Sequence, residues 1–139
     1  MHEVSILSVA LTIVAQADAA SCRCPIECRL SHGDGPWSCR VFLRRITASG
    51  GQSSSGQPKE PFGDIIMDKE MLEGRILRAQ RAILNPKTPA QKFLEGDINL
   101  NAPNELSFSP NIICLEITGH EYSEISFVDL PGASPKSWL

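Results

Sequence analysis

The clearest pattern in the chain is an alternation with period two. Ile26, Cys28 and Leu30 alternate with Glu27, Arg29 and Ser31, and Trp37, Cys39, Val41 and Leu43 alternate with Ser38, Arg40 and Arg44. Successive side chains of a strand point to opposite faces, so each run predicts a strand with one buried face. Between the runs, Ser31-His-Gly-Asp-Gly-Pro36 is dense in turn formers, which predicts an antiparallel hairpin. A register centred on that loop sets Leu30 against Trp37, Cys28 against Cys39 and Ile26 against Val41, and leaves His32 exposed in the turn.

A helical period takes over further on. Leu72, Ile76, Ala79 and Ile83 make one apolar stripe. Asp68 can cap the start, Glu70 and Glu73 fall early, and Arg75, Arg78 and Arg81 fall later, as the helix dipole favours. The three arginines read as the solvated face. Asn85-Pro86 closes the helix, because the residue before proline is pushed out of the helical region. A short helical stretch is expected at residues 90–94. Residues 112–118, Ile-Ile-Cys-Leu-Glu-Ile-Thr, predict a further strand. Residues 119–124, which include His120 and Glu121, form a surface connection. It leads antiparallel into a last strand at residues 125–130, which runs on into Pro131-Gly132.

The intervening segments lack such periods. Residues 47–60 are Ser, Gly, Gln and Pro with hardly an apolar side chain, which predicts a flexible loop inserted in a standard fold. Residues 85–110 are dominated by turn formers, with Pro86, Pro89, Pro103 and Pro110.

Composition sets the class. The chain has 139 residues, 42% hydrophobic and 21% charged, enough for one globular domain or a piece of one. A net charge of −3, with Lys and Arg scattered, gives no electrostatic case for nucleic acid or an anionic membrane. Five cysteines, Cys22, Cys24, Cys28, Cys39 and Cys114, leave two readings open. In an oxidising compartment Cys28 and Cys39 bond; in a reducing one they are two small residues on the buried face, the reading preferred here. The spacing C-x-C-x3-C lacks the second cluster that zinc sites usually carry. Val4 begins a twelve-residue apolar run to Ala15, followed by Ala17-Asp-Ala-Ala20. The run resembles a signal peptide without its positive end and is too short to span a bilayer. A small secreted binding module with a Cys28–Cys39 disulfide is therefore the alternative reading.

Three stretches point elsewhere when taken together. They are Cys22-Arg-Cys-Pro-Ile-Glu-Cys-Arg-Leu30, Arg78-Ala-Gln-Arg-Ala-Ile-Leu-Asn-Pro86, and Phe108-Ser-Pro-Asn-Ile-Ile-Cys-Leu-Glu-Ile117 leading into Ser126-Phe-Val-Asp-Leu-Pro-Gly132. In order and separation this set resembles the GTPase domain of the dynamin superfamily, particularly its fungal dynamin-like and Mx-like members, over residues 22–132. The resemblance implies an α/β fold: an incomplete P-loop GTPase-type mixed sheet with an antiparallel hairpin, one main helix and a long flexible loop. It assigns residues 21–139 to a partial GTPase domain and sets residues 1–20 apart as an atypical N-terminal segment.

The same resemblance implies the site. Asp129 would hold Mg²⁺ through water, and the Gly132 amide would meet the γ-phosphate of GTP, at the start of switch II. Residues 22–25 match the Thr-Arg-x-Pro of switch I, with Cys22 in the place of the catalytic threonine; a thiol is a poor ligand for hard Mg²⁺. No G-x-x-x-x-G-K-[ST] occurs, and the chain stops seven residues after Gly132, before any Asn/Thr-Lys-x-Asp guanine motif. The expectation is a GTPase fragment inactive by itself. GTP and Mg²⁺ are the ligands the family would bring. Self-association, membrane remodelling and microtubule association are its partner chemistry, and the cytoplasmic side of organelle membranes is its location.

Overall fold

The computed structural model describes residues 23–46, 59–96 and 102–129. Five strands form one mixed sheet in the order β3-β2-β4-β1-β5. They are β1 (Ile26–His32), β2 (Ser38–Arg44), β3 (Glu60–Pro61), β4 (Ile112–Gly119) and β5 (Ile125–Asp129). A 3₁₀ turn at Lys69–Met71 leads into the main helix, α1 (Leu72–Leu84), and a short helix α2 (Gln91–Glu95) follows. The class is α/β, as expected.

The hairpin is not formed. β4 lies between β1 and β2, parallel to the first and antiparallel to the second. Cys28 therefore faces Leu115, which on its other side faces Val41; Leu30 and Cys39 both flank Ile117. The reason is the composition of β4, where Ile113, Cys114 and Leu115 are buried in succession. Such a strand belongs in the sheet interior, where both rows of backbone polar groups find partners. The loop at residues 33–37 can cross over it, since five residues reach farther than two strand spacings of about 4.8 Å each. The same spacing rules out a Cys28–Cys39 bridge, because disulfide-linked Cα atoms lie within about 7 Å. Both thiols are free, as is that of Cys114.

β4 and β5 are antiparallel, as expected. They are not neighbours: β1 lies between them, antiparallel to β5. Of the expected loop at residues 47–60, residues 47–58 lie outside the described residues. Glu60 and Pro61 pair with Leu43 and Phe42 as a short edge strand.

One face of the sheet carries the core. Ile26, Cys28 and Leu30 of β1, Cys39, Val41 and Leu43 of β2, and Ile113, Leu115 and Ile117 of β4 pack with Leu72, Ile76, Ala79 and Ile83 of α1. The stripe read from the sequence is thus the face that α1 buries. Asp68 caps the 3₁₀ turn, its carboxylate accepting from the Glu70 N–H at 3.0 Å, and Asn85 ends α1. The opposite sheet face is charged. Glu116 is register partner to both Arg29 and Arg40, and Glu27 binds Arg44 at 3.0 Å and Arg29 at 3.7 Å. Lys59 pairs with Glu116. Among the described residues no helix is long and apolar enough to cross a membrane.

Gly63 lets the chain leave β3 and turn toward α1. Its φ of 83° is a left-handed conformation that costs other residues, and a Cβ there would strike the Arg75 guanidinium and come within 3.0 Å of Leu94 Cδ1. Arg75 donates to the carbonyls on both sides of this glycine, Phe62 at 3.2 Å and Asp64 at 3.0 Å. Gly63→Ala should destabilise the fold by about 1–3 kcal/mol, measured as a lower urea midpoint at unchanged slope.

Candidate functional site

Of the site residues singled out from the sequence, Asp129 is the one that is described, and it lies at one end of the sheet. β1 starts where β5 ends, since Ile26 and Asp129 are register partners in the antiparallel pair. Asp129 is therefore delivered at the C-terminal end of a strand, beside the segment that enters β1. Cys22 and Gly132 lie outside the described residues.

The entering segment is held firmly. The Arg23 carbonyl accepts from Ser109 N–H at 3.0 Å, and the Pro25 carbonyl accepts from Ile113 N–H at 3.0 Å. Cys24 is fully buried in the core. The Arg23 guanidinium reaches Glu105 Oε2 at 3.1 Å.

Glu105 is a hub that sequence reading missed. Its Oε1 accepts from Arg81 Nε at 3.1 Å and from Asn85 Nδ2 at 2.9 Å, while Oε2 takes Arg23. One carboxylate thus ties the start of β1 to the end of α1. The Leu106 N–H adds a bond of 2.8 Å to the Leu84 carbonyl. Glu105 gave no signal in the sequence because it sits in a turn-rich stretch without period; only Asn85 and Arg81, at the close of a legible helix, hinted that something polar must meet them.

Burial alone would push the Glu105 carboxyl up, but the hydrogen bonds from Asn85 and Arg23 and the charges of Arg23 and Arg81 together hold it below the usual carboxylate range. A carboxylate whose folded pKa is depressed contributes stability above its unfolded value, about 4.3 for Glu, and loses it as pH falls through the folded value. The urea midpoint should therefore drop in acid from about pH 4.5 downward, and Glu105→Gln should flatten this part of the profile.

The arginines of α1 are not a solvated face. Besides the Arg75 and Arg81 bonds, Arg78 Nη1 donates to the Phe93 carbonyl at 2.9 Å and also to that of Gly96, satisfying the carbonyl end of α2. Arg81 also stacks over the Phe93 ring, 5.6 Å from its centroid. The structural cause is α2 and the turn at Gly63, which fold back on α1 and offer bare carbonyls. A broad open cleft beside α1, lined by Asp64, Glu70, Arg75, Arg78 and Glu95 among others, lies away from the end of the sheet that holds Asp129. Its two guanidiniums are already committed to backbone carbonyls.

The remaining candidates are dispersed. His32 is the last residue of β1 rather than a turn residue; it is exposed, with its ring 5.7 Å from that of His120 and Nε2 3.3 Å from Asp34. His120 and Glu121 are exposed in the connection after β4. Cys28 and Cys39 sit in the core, where burial pushes both thiols up to about 12. Such thiols carry almost no thiolate at neutral pH. Iodoacetamide at pH 8 should leave Cys28 and Cys39 unmodified in the folded chain and alkylate both in urea, as read by peptide mass mapping.

No family model matches the chain, and no curated protein matches it at a significant level.

Proposed function

We propose that this chain is the central part of a dynamin-like GTPase domain, carrying the switch I approach and the Asp-x-x-Gly motif of a Mg²⁺–GTP site without the loop that grips the phosphates. The observation that supports this reading is the Ile26–Asp129 register, which sets residues 23–25 next to the end of β5. The described parts of the two matched segments, residues 23–25 and Asp129, thus lie at one end of the sheet, which is what a joint phosphate and metal site requires. Asp129 is the residue that would orient Mg²⁺ through water, and the Gly132 amide would approach the γ-phosphate. Cys22, in the threonine position, cannot supply a hard oxygen ligand. Without a Gly-rich lysine loop the chain has little to hold triphosphate, so the activity is that of the family and not of this chain alone. Self-association and work on membranes or microtubules belong to the same proposal.

A fluorescent GTP analogue with Mg²⁺ tests the activity. No saturable signal is expected at micromolar chain, and Mg²⁺-dependent saturation in that range would refute the inactivity. The location of the site is tested by NMR titration with millimolar Mg²⁺–GTP. Shifts should centre on residues 23–26 and 127–129 and vanish in Asp129→Asn. Shifts confined to the cleft beside α1, or none at all, overturn the site.

A further inference from the structure

The two outer edges of the sheet are built differently. β3 closes one edge with two residues, a glutamate and a proline. A strand that short, with a charge and a missing N–H, resists further pairing. β5 closes the other, and among the described strands it has a neighbour on one side only. Its residues, Ile-Ser-Phe-Val-Asp, include no proline and no Lys or Arg. Ser126 is exposed, and so is Val128, at 46%. Apart from the charge of Asp129 at its last position, no residue type in the strand blunts its outer row of backbone donors and acceptors.

The sequence of β5 also selects a partner. In antiparallel self-pairing about Phe127, Ile125 falls opposite Asp129 of the other copy and Ser126 opposite Val128. The single charge then never meets its like, whereas parallel in-register pairing would stack Asp129 on Asp129, which is unfavourable. A two-fold axis through Phe127 closes the assembly at two chains, because the β3 edges that would remain outside are the blunted ones. We propose that β5 is a dimerisation edge, through which two copies of this chain join their sheets into one that holds the five described strands of each. The shared strand pair is short, so the dimer is concentration-dependent.

The test is sedimentation equilibrium of the full chain with two paired variants. The native chain should shift from one to two chains per particle as concentration rises through the micromolar range. Ser126→Lys with Val128→Lys sets lysine against lysine across the axis and should weaken association at least tenfold. Ser126→Glu with Val128→Lys sets unlike charges there and should restore it. Both variants change only exposed positions, and circular dichroism checks that each is folded. A second measurement is independent of that margin: a mixture of Ser126→Cys and Val128→Cys chains, once oxidised, should yield a disulfide between positions 126 and 128 in peptide maps. A native chain that stays monomeric at every concentration overturns the proposal. So does a lysine pair that associates as the native chain does, or a mixture with no 126–128 crosslink.

Discussion

Leu115→Ala should lower the unfolding free energy by about 3–5 kcal/mol, the largest loss expected from a single truncation in this chain. Leu115 is 1% exposed at the middle of the central strand, with Cys28 on one side in register and Val41 on the other. It belongs to the same core cluster as Ile76 and Ala79 of α1. Removing its side chain forfeits the transfer free energy and leaves a cavity between a sheet and a helix that are both fixed by their own hydrogen bonds, so collapse around it is limited. The neighbouring position supplies the control. Cys114 is also buried but lies on the opposite face, its Sγ 3.9 Å from Glu27 Oε2. Cys114→Ala should cost about 1 kcal/mol or less, since it deletes one atom at a partly polar site. Urea denaturation of the two variants measures the contrast, and equal losses would mean that β4 is not buried asymmetrically.

Glu105→Ala should cost about 2–4 kcal/mol, the second largest effect. Three donors on two elements lose one acceptor, and the Arg81 guanidinium, a fifth exposed, keeps its charge in a partly dry site. Breaking one side of such a network is more damaging than the net worth of any single bond. A double-mutant cycle with Arg23→Ala separates the pair from the rest: a coupling of about 1 kcal/mol or more is expected for a partly shielded ion pair. Because Arg23 belongs to the segment that enters β1, the variant should also loosen the sheet end that holds Asp129. Faster amide exchange at Ile26 than at Leu30 would report this local opening.

Much of the architecture could be read from local pattern. Period two named the buried faces of β1 and β2, and the i, i+4, i+7 spacing named Leu72, Ile76, Ala79 and Ile83. The caps at Asp68 and Asn85 set the ends of the helical segment. The candidate site was legible only as motif positions: Asp129 falls on the strand end foreseen for it, while Cys22 and Gly132 lie outside the described residues. Glu105 and the carbonyl partners of Arg75 and Arg78 were not legible, because each contact joins segments more than ten residues apart.

The amino-acid sequence by itself determined which residues turn inward, since side-chain periodicity is a property of one strand or one helix and needs no partner. Only the tertiary structure decided which strands are neighbours. The period of β1 and β2 is satisfied equally by a hairpin or by a third strand inserted between them. What selects the second arrangement is the need of the apolar β4 for hydrogen-bond partners on both edges. That same insertion leaves β1 free to pair with β5 on its other side, and so brings the start of β1 to Asp129.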